Sequence, residues 1–164
     1  MILIILSSLL LLAAVIWCFI PRGWSAVCAF AGMLLLWLSG TSTLHGSQLW
    51  FWGAAAMIVL GLSVLLPTPV VYSRRGVGYL VIGTIAGLFV GVLISQAAMV
   101  LGGVAGAFCA AMAYSRTPAG KMLHFPSYNF LNFLCAKALP PVITLSIVAV
   151  TLLSLFSPML DYLN

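Results

Sequence analysis

The residues of this chain best suited to chemistry are two histidines and four cysteines, which could bind a metal ion or haem. His45 and His124 lie in separate polar loops that the charge pattern places on opposite sides of a membrane, so we do not expect them to share a ligand. The cysteines include no CxxC pair and no histidine at metal-ligand spacing, so we expect them to pack as small apolar side chains. They are Cys18, Cys28, Cys109 and Cys135. We therefore predict no metal site and no cofactor.

Two short motifs faintly resemble catalytic or nucleotide-binding signatures. Leu38-Ser39-Gly40-Thr41-Ser42 resembles the serine of a hydrolase, but no base is placed to activate Ser39, and a helix end explains the motif better. Gly76-Val77-Gly78 lacks the preceding strand and the third glycine of a dinucleotide site, and indicates the entry of a helix. A membrane enzyme would have to draw on loop residues without any acid, namely His45, His124, Tyr128, Asn129 and Asn132. We predict that the protein is not an enzyme.

The composition indicates that most of the chain is solvated by lipid. Of the 164 residues, 65% are hydrophobic and only 4% are charged, and the mean hydropathy is +1.29. A soluble domain carries about 25% charged residues, so these values predict an integral membrane protein. The net charge of +5 comes from six scattered basic residues and one acid, Asp161. Such scattered charges form no basic face, so we expect no nucleic-acid partner.

Apolar runs predict one all-α membrane domain over residues 1–164, with about six transmembrane helices. A hydrocarbon core of about 30 Å requires about 20 apolar residues per helix. An additional helix over residues 127–139 is predicted to lie in the membrane interface and to end at Pro140-Pro141, because proline lacks a backbone donor. The predicted spans are residues 2–20, 24–39, 50–66, 77–94, 97–113 and 142–156.

Small residues at helical spacing mark the fourth and fifth spans as a glycine-zipper hairpin. Positions four residues apart lie on one face of a helix, where glycines allow two backbones to pack closely. The predicted packing residues are Gly83, Gly87, Gly91, Gly102, Gly103 and Gly106. Packing within one chain is favoured over packing between copies. In the second case, the ladder would line an oligomeric pore, with Thr84, Ser95 and Gln96 as its candidate polar path; Ser95 and Gln96 otherwise form the hairpin tip.

The basic residues predict the orientation of the chain in the membrane. With six spans, all of them fall on one side: Arg22, Arg74, Arg75, Arg116, Lys121 and Lys137. Basic loops stay in the cytoplasm, so both termini are predicted outside it. A single helix over residues 77–113 would place Arg75 and Arg116 in opposite compartments, which favours the hairpin. A re-entrant hairpin would give the same charge pattern and remains an alternative.

One family resemblance accompanies these features. Ser73-Arg74-Arg75-Gly76-Val77 leads into the first glycine ladder, and Leu101-Gly102-Gly103-Val104-Ala105-Gly106-Ala107 follows it. Over roughly residues 1–115, this arrangement resembles an uncharacterised bacterial membrane family catalogued as domain of unknown function 456, of which the chain would be a divergent member. The resemblance implies a fold and a bacterial inner membrane, and it implies no activity.

These observations predict a multi-pass membrane protein that acts as a structural or accessory component. No ionisable residue lies inside the predicted spans, which argues against proton-coupled transport and intramembrane aspartyl proteolysis. The alternative is a small uncoupled pore or facilitator formed by an oligomer. The expected partners are the lipid bilayer, with anionic lipid at the cytoplasmic face, and either a second copy or another membrane protein.

Overall fold

The protein is a bundle of apolar helices. The computed structural model describes residues 2–19, 24–40, 44–65, 74–120, 123 and 127–161, and every regular element within these ranges is helical. The first five helices are α1 (Ile2–Trp17), α2 (Trp24–Leu38), α3 (Gly46–Leu65), α4 (Arg74–Val92) and α5 (Gln96–Ser115). A short 3₁₀ turn, Pro118–Gly120, follows them, and then come α6 (Tyr128–Phe133), a π-helical segment (Leu134–Ala138) and α7 (Leu139–Asp161).

Three of these helical stretches are long and apolar enough to cross a membrane: Gly46–Leu65, Ala98–Ser115 and Tyr128–Leu155. Three shorter apolar helices accompany them, over Ile2–Trp17, Trp24–Leu38 and Gly76–Val92. The all-helical class and the apolar character agree with the prediction of a membrane protein. The turn between α4 and α5 lies at residues 93–95, where Ser95 caps α5 as predicted; Gln96, predicted in the same tip, is instead the first residue of α5.

The predicted break at Pro140-Pro141 is wrong. Helical structure runs without interruption from α6 through the π-helical segment into α7, so residues 127–139 do not form a separate helix. A proline in a helix lacks one hydrogen bond and its ring clashes with the carbonyl four residues earlier. For Pro140 and Pro141 those carbonyls belong to Ala136 and Lys137, inside the π-helical segment. The wider π turn relieves that clash, and the helix continues.

Helix α7 lies at the centre of the bundle and contacts each of the five helices α1 to α5. Side chains from most of the chain meet in the largest core cluster, which includes Met33, Trp52, Leu88, Met99 and Ile147. A second cluster joins α4 and α5 to α6, where Phe130 and Phe133 are fully buried. The predicted interfacial helix therefore packs its inner face, which carries these two rings, against α4 and α5.

The outer surface of the bundle is strongly apolar. Leu93 is 87% exposed, Trp50 83%, Phe89 74% and Leu101 71%. Soluble monomers rarely expose apolar patches of more than a few hundred Å². Exposed large apolar side chains occur on all seven α-helices, which is the distribution expected when the surrounding solvent is hydrocarbon.

Candidate functional site

Among the described helices, α4 and α5 pack together most extensively, and their glycine faces meet. A methyl group added to Gly87 would overlap the carbonyl of Gly102, and one added to Gly102 would overlap the carbonyl oxygen of Gly87. One added to Gly83 would lie 2.6 Å from the carbonyl oxygen of Gly106. Backbone therefore packs directly on backbone, which only residues without a Cβ atom permit.

The spacing of the glycines sets the register of this contact. Each step of four residues up α4 matches a step of four residues down α5, as antiparallel helices require. Gly83 thus faces Gly106, Gly87 faces Gly102, and Gly91 faces the backbone of Ala98 and Met99 near the turn. The backbone contact extends from Gly83 to Gly91 on α4 and from Ala98 to Gly106 on α5.

Gly103 differs from the other predicted packing residues. Its nearest neighbours are side-chain atoms of Leu88, at 3.1 and 3.2 Å from an added Cβ, with Cγ2 of Thr84 at 3.8 Å. It provides space for a leucine of α4 and does not bring two backbones together. Gly102 and Gly103 are adjacent in sequence and belong to two different contacts.

The structure does not bring the predicted polar-path residues together. Thr84 is fully buried, and its hydroxyl donates to the carbonyl of Leu80 at 2.7 Å. Ser95 is exposed at the turn, where its hydroxyl accepts the Ala98 N–H at 3.1 Å. From Thr84, α4 continues for eight more residues, about 12 Å, before the turn that carries Ser95. Gln96 is the first residue of α5, and its side chain lies outside the described atoms.

The predicted topology-setting residues that the structure describes collect at one end of the α4–α5 hairpin. Arg74 and Arg75 begin α4, and Arg116 is exposed at the C-cap of α5. Lys137 is half-buried in the π-helical segment, which contacts both helices. Arg22 and Lys121 lie outside the described residues.

At the same end of the bundle, aromatic rings of α4, α5 and α6 contact one another. Tyr114 stacks on Phe133 with ring centroids 5.9 Å apart, and Tyr79 lies 5.7 Å from Tyr114. An added methyl group on Gly76 would lie 3.0 Å from the Tyr114 ring and 3.3 Å from the Phe133 ring. The start of α4, the end of α5 and the end of α6 therefore share one level of the bundle.

Sequence reasoning missed a buried hydroxyl pair between α2 and α7. The Thr144 hydroxyl donates to the carbonyl of Pro140 at 2.7 Å, and its oxygen lies 3.1 Å from Oγ of Ser25, within hydrogen-bonding distance. Ser7 makes a similar contact from α1, donating to the carbonyl of Gly32 at 2.8 Å. Ser25 is the second residue of α2, and no spacing in the sequence pairs it with a residue 119 positions later.

These hydroxyls join helices, and the described residues supply no base beside them. His45 is exposed, and its backbone N–H donates to Oε1 of Gln48 at 3.4 Å. Ser39 lies in the turn after α2 and donates to the carbonyl of Leu36 at 2.6 Å, which confirms that its motif is a helix end. His124 lies outside the described residues. Among the described residues, no group of three or more histidine, cysteine or acidic side chains could hold a metal ion.

Comparisons with protein-family models, with curated proteins and with solved structures found no match to this chain.

Proposed function

We propose that the protein is a multi-pass integral membrane protein without catalytic machinery, acting as a structural or accessory component. The observation that carries this proposal is the contact of Gly83, Gly87 and Gly91 with α5 of the same chain. Because each of these residues faces α5, the ladder has an intramolecular role. The proposal therefore treats it as a glycine zipper that holds α4 and α5 together.

Helix pairing supports six spans. Helix α4 is short for a bilayer, yet it packs along α5, which is long enough to cross. Because α4 and α5 are antiparallel and lie side by side, α4 must cross the membrane in the opposite direction if α5 crosses it. Helices α1 and α2 form a second closely packed pair, linked by Ser7 and Gly32. Helices as short as these can still span a membrane if the bilayer thins locally around them or if flanking side chains extend to the headgroups.

We place the protein in a bacterial inner membrane, with its basic residues in the cytoplasm and both termini outside. The resemblance to the family of unknown function supports the source membrane. The grouping of Arg74, Arg75 and Arg116 at one end of the hairpin supports the orientation. Lipid is then the principal partner, with anionic lipid at the basic end.

The accessory role is tested by native mass spectrometry of protein extracted in mild detergent. We expect the 17.4 kDa monomer or a complex with a different polypeptide. Discrete multiples of the chain mass, together with ion or solute flux in liposomes, would overturn the accessory role in favour of an oligomeric pore. In that case a Thr84→Val variant should reduce the flux while the multiples persist.

The orientation is tested by cysteine labelling in spheroplasts of a bacterial host, with the four native cysteines replaced by alanine. Ser95 and Arg116 are both exposed and lie at opposite ends of α5. A membrane-impermeant maleimide should label Ser95→Cys in intact spheroplasts and Arg116→Cys only after lysis. The reverse pattern would contradict the proposed orientation, and labelling of both before lysis would contradict the six-span arrangement.

A further inference from the structure

A groove runs between α1 and α7 on the outside of the bundle. Its α1 wall is one face of that helix, from Ile4 to Val15, and the buried Leu36 of α2 also lines it. Leu12 and Leu152, one on each wall, are 64% and 45% exposed, so the groove opens to the surface of the bundle. The α7 wall consists of side chains about one turn apart: Val148, Leu152 and Leu155.

The described residues of the lining offer no spare hydrogen-bond donor. The Ser7 hydroxyl donates to the carbonyl of Gly32 at 2.8 Å, and the Ser8 hydroxyl donates to the carbonyl of Ile5 at 2.8 Å. The other described side chains of the lining are aliphatic. A phosphate or a sugar would lose its hydration in this groove and gain no hydrogen bond in return. Apolar cavities accept apolar ligands instead, so the groove suits a hydrocarbon.

Contacts with α2 keep the groove from closing. A methyl group added to Gly32 would lie 3.0 Å from the side chain of Leu11, and the carbonyl of Gly32 accepts the hydrogen bond from Ser7. Helix α1 is therefore held against α2 and cannot move towards α7 without breaking these contacts. An unfilled groove would leave its lining without van der Waals partners. The groove is thus preformed, and an occupant stabilises it.

The size of the groove distinguishes between apolar occupants. Its volume of about 320 Å³ extends over about 16 Å of α1, which gives a mean cross-section of about 20 Å². Carbon atoms in contact are about 4 Å apart, so an extended methylene chain requires about 15–20 Å². An α-helix with its side chains is about 10–12 Å across and requires about 80–110 Å². The groove therefore fits one acyl chain and is too narrow for a helix of another protein.

We infer that the groove between α1 and α7 binds one acyl chain of a membrane phospholipid. The site rests on the proposed membrane function and deepens it, because it assigns a fixed lipid contact to one face of the bundle. Membrane-spanning helices lie on average about 20° from the bilayer normal, so the groove runs in the direction of the acyl chains around it. The bound phospholipid stays with the protein while the surrounding lipid exchanges.

The test places the full chain in phosphatidylcholine vesicles that contain a phosphatidylcholine with a photoreactive diazirine in one acyl chain. After irradiation, mass spectrometry of peptides locates the lipid adducts. Ser8→Phe fills the groove, because Ser8 is a small, exposed residue of its lining. Leu9→Phe is the matched control, because Leu9 is the next residue, is 63% exposed and lies outside the lining. Ser8→Ala removes the hydroxyl and leaves the groove open.

We expect the adducts on the wild type to concentrate on Val148–Leu155 and on the facing residues of α1. Ser8→Phe should lose most of these adducts, whereas Leu9→Phe and Ser8→Ala should keep them. Equal yields on Val148–Leu155 in the wild type and in a folded Ser8→Phe variant would overturn the site. If Ser8→Phe does not fold, Leu152→Trp fills the groove from α7, with the neighbouring Leu153→Trp as its control, and the same comparison decides.

Other occupants give different results in the same vesicles. Adducts from a photoreactive fatty acid, without adducts from the phospholipid, would overturn the phospholipid assignment. A dimer of the chain that Ser8→Phe dissociates would assign the groove to a second copy and overturn the lipid site. Co-flotation with the vesicles tests the proposed function separately. Protein that floats without adducts in the groove overturns only the site, and protein that does not float overturns the proposed membrane function itself.

Discussion

Gly87 of α4 and Gly102 of α5 lie against each other's carbonyl groups, so that each occupies the space where the other would need a Cβ atom. The relationship is reciprocal and leaves no side chain between the two backbones. Close approach of this kind strengthens van der Waals contact over the whole helix pair. It also makes the pair sensitive to a single methyl group.

Replacing Gly87 by alanine should destabilise the protein by about 1–3 kcal/mol, the usual cost of adding a methyl group to a filled contact. Gly78→Ala is the matched control, because Gly78 lies in the same helix and an added methyl group would meet nothing within 4 Å. Thermal unfolding in mild detergent, followed by circular dichroism, measures the difference. Equal melting temperatures for the two variants would show that the helices separate at no cost.

Gly102→Ala and Gly103→Ala should differ although the residues are neighbours in sequence. The first methyl group would meet the backbone of Gly87, whereas the second would meet the flexible side chain of Leu88 at 3.1 Å. Because a leucine can change rotamer and a carbonyl cannot, we expect Gly103→Ala to cost less, by about 1 kcal/mol. The same unfolding measurement compares them. A greater loss for Gly103→Ala would contradict the assignment of the two contacts.

Thr144→Val should destabilise the protein more than Thr151→Val. Both threonines are fully buried and donate to the carbonyl four residues earlier, but only Thr144 also reaches another helix through Ser25. The difference therefore isolates one interhelical hydrogen bond, which is worth about 0.6 kcal/mol in a membrane protein. Ser25→Ala should remove the same increment. If the two valine variants unfold alike, the Ser25 contact contributes nothing.

Cys109 should resist a charged maleimide in liposomes and react once the protein is unfolded in denaturant. Its side chain is exposed on the outer face of α5, which the proposed function places in hydrocarbon, where a charged reagent does not reach it. The comparison uses single-cysteine variants, with Ser95→Cys at the helix turn as the accessible reference. Rapid labelling of Cys109 in liposomes would place this face of α5 in water.

The sequence predicted the α4–α5 hairpin well because its signal is local. The i, i+4 glycines identify a helix face, and Ser95 is both the polar break in the apolar block and a good N-cap. The exact partners across the contact could not be read in advance, since they depend on how the two helices are offset by the turn. The offset decides that Gly102 faces a backbone and Gly103 a leucine.

Two other features lay beyond sequence reasoning for a different reason. The π-helical segment before Pro140 is only five residues long, and no residue pattern in Leu134–Ala138 predicts it. The expected stop at the prolines followed from a rule for regular α-helices. Ser25 was missed because its partner Thr144 is on α7, and their contact exists only when α2 and α7 pack together.

The α4–α5 contact also bears on the order in which the chain assembles. Only residues 93–95 separate the two helices, and the contact begins beside them, where Gly91 meets Ala98 and Met99. Pairing can therefore spread outward from the turn through contacts of steadily increasing sequence separation, which is the least demanding route in loop entropy. The hairpin can close as soon as α5 has been synthesised, before α7 exists. Helix α7, which is synthesised later, then docks against a finished pair.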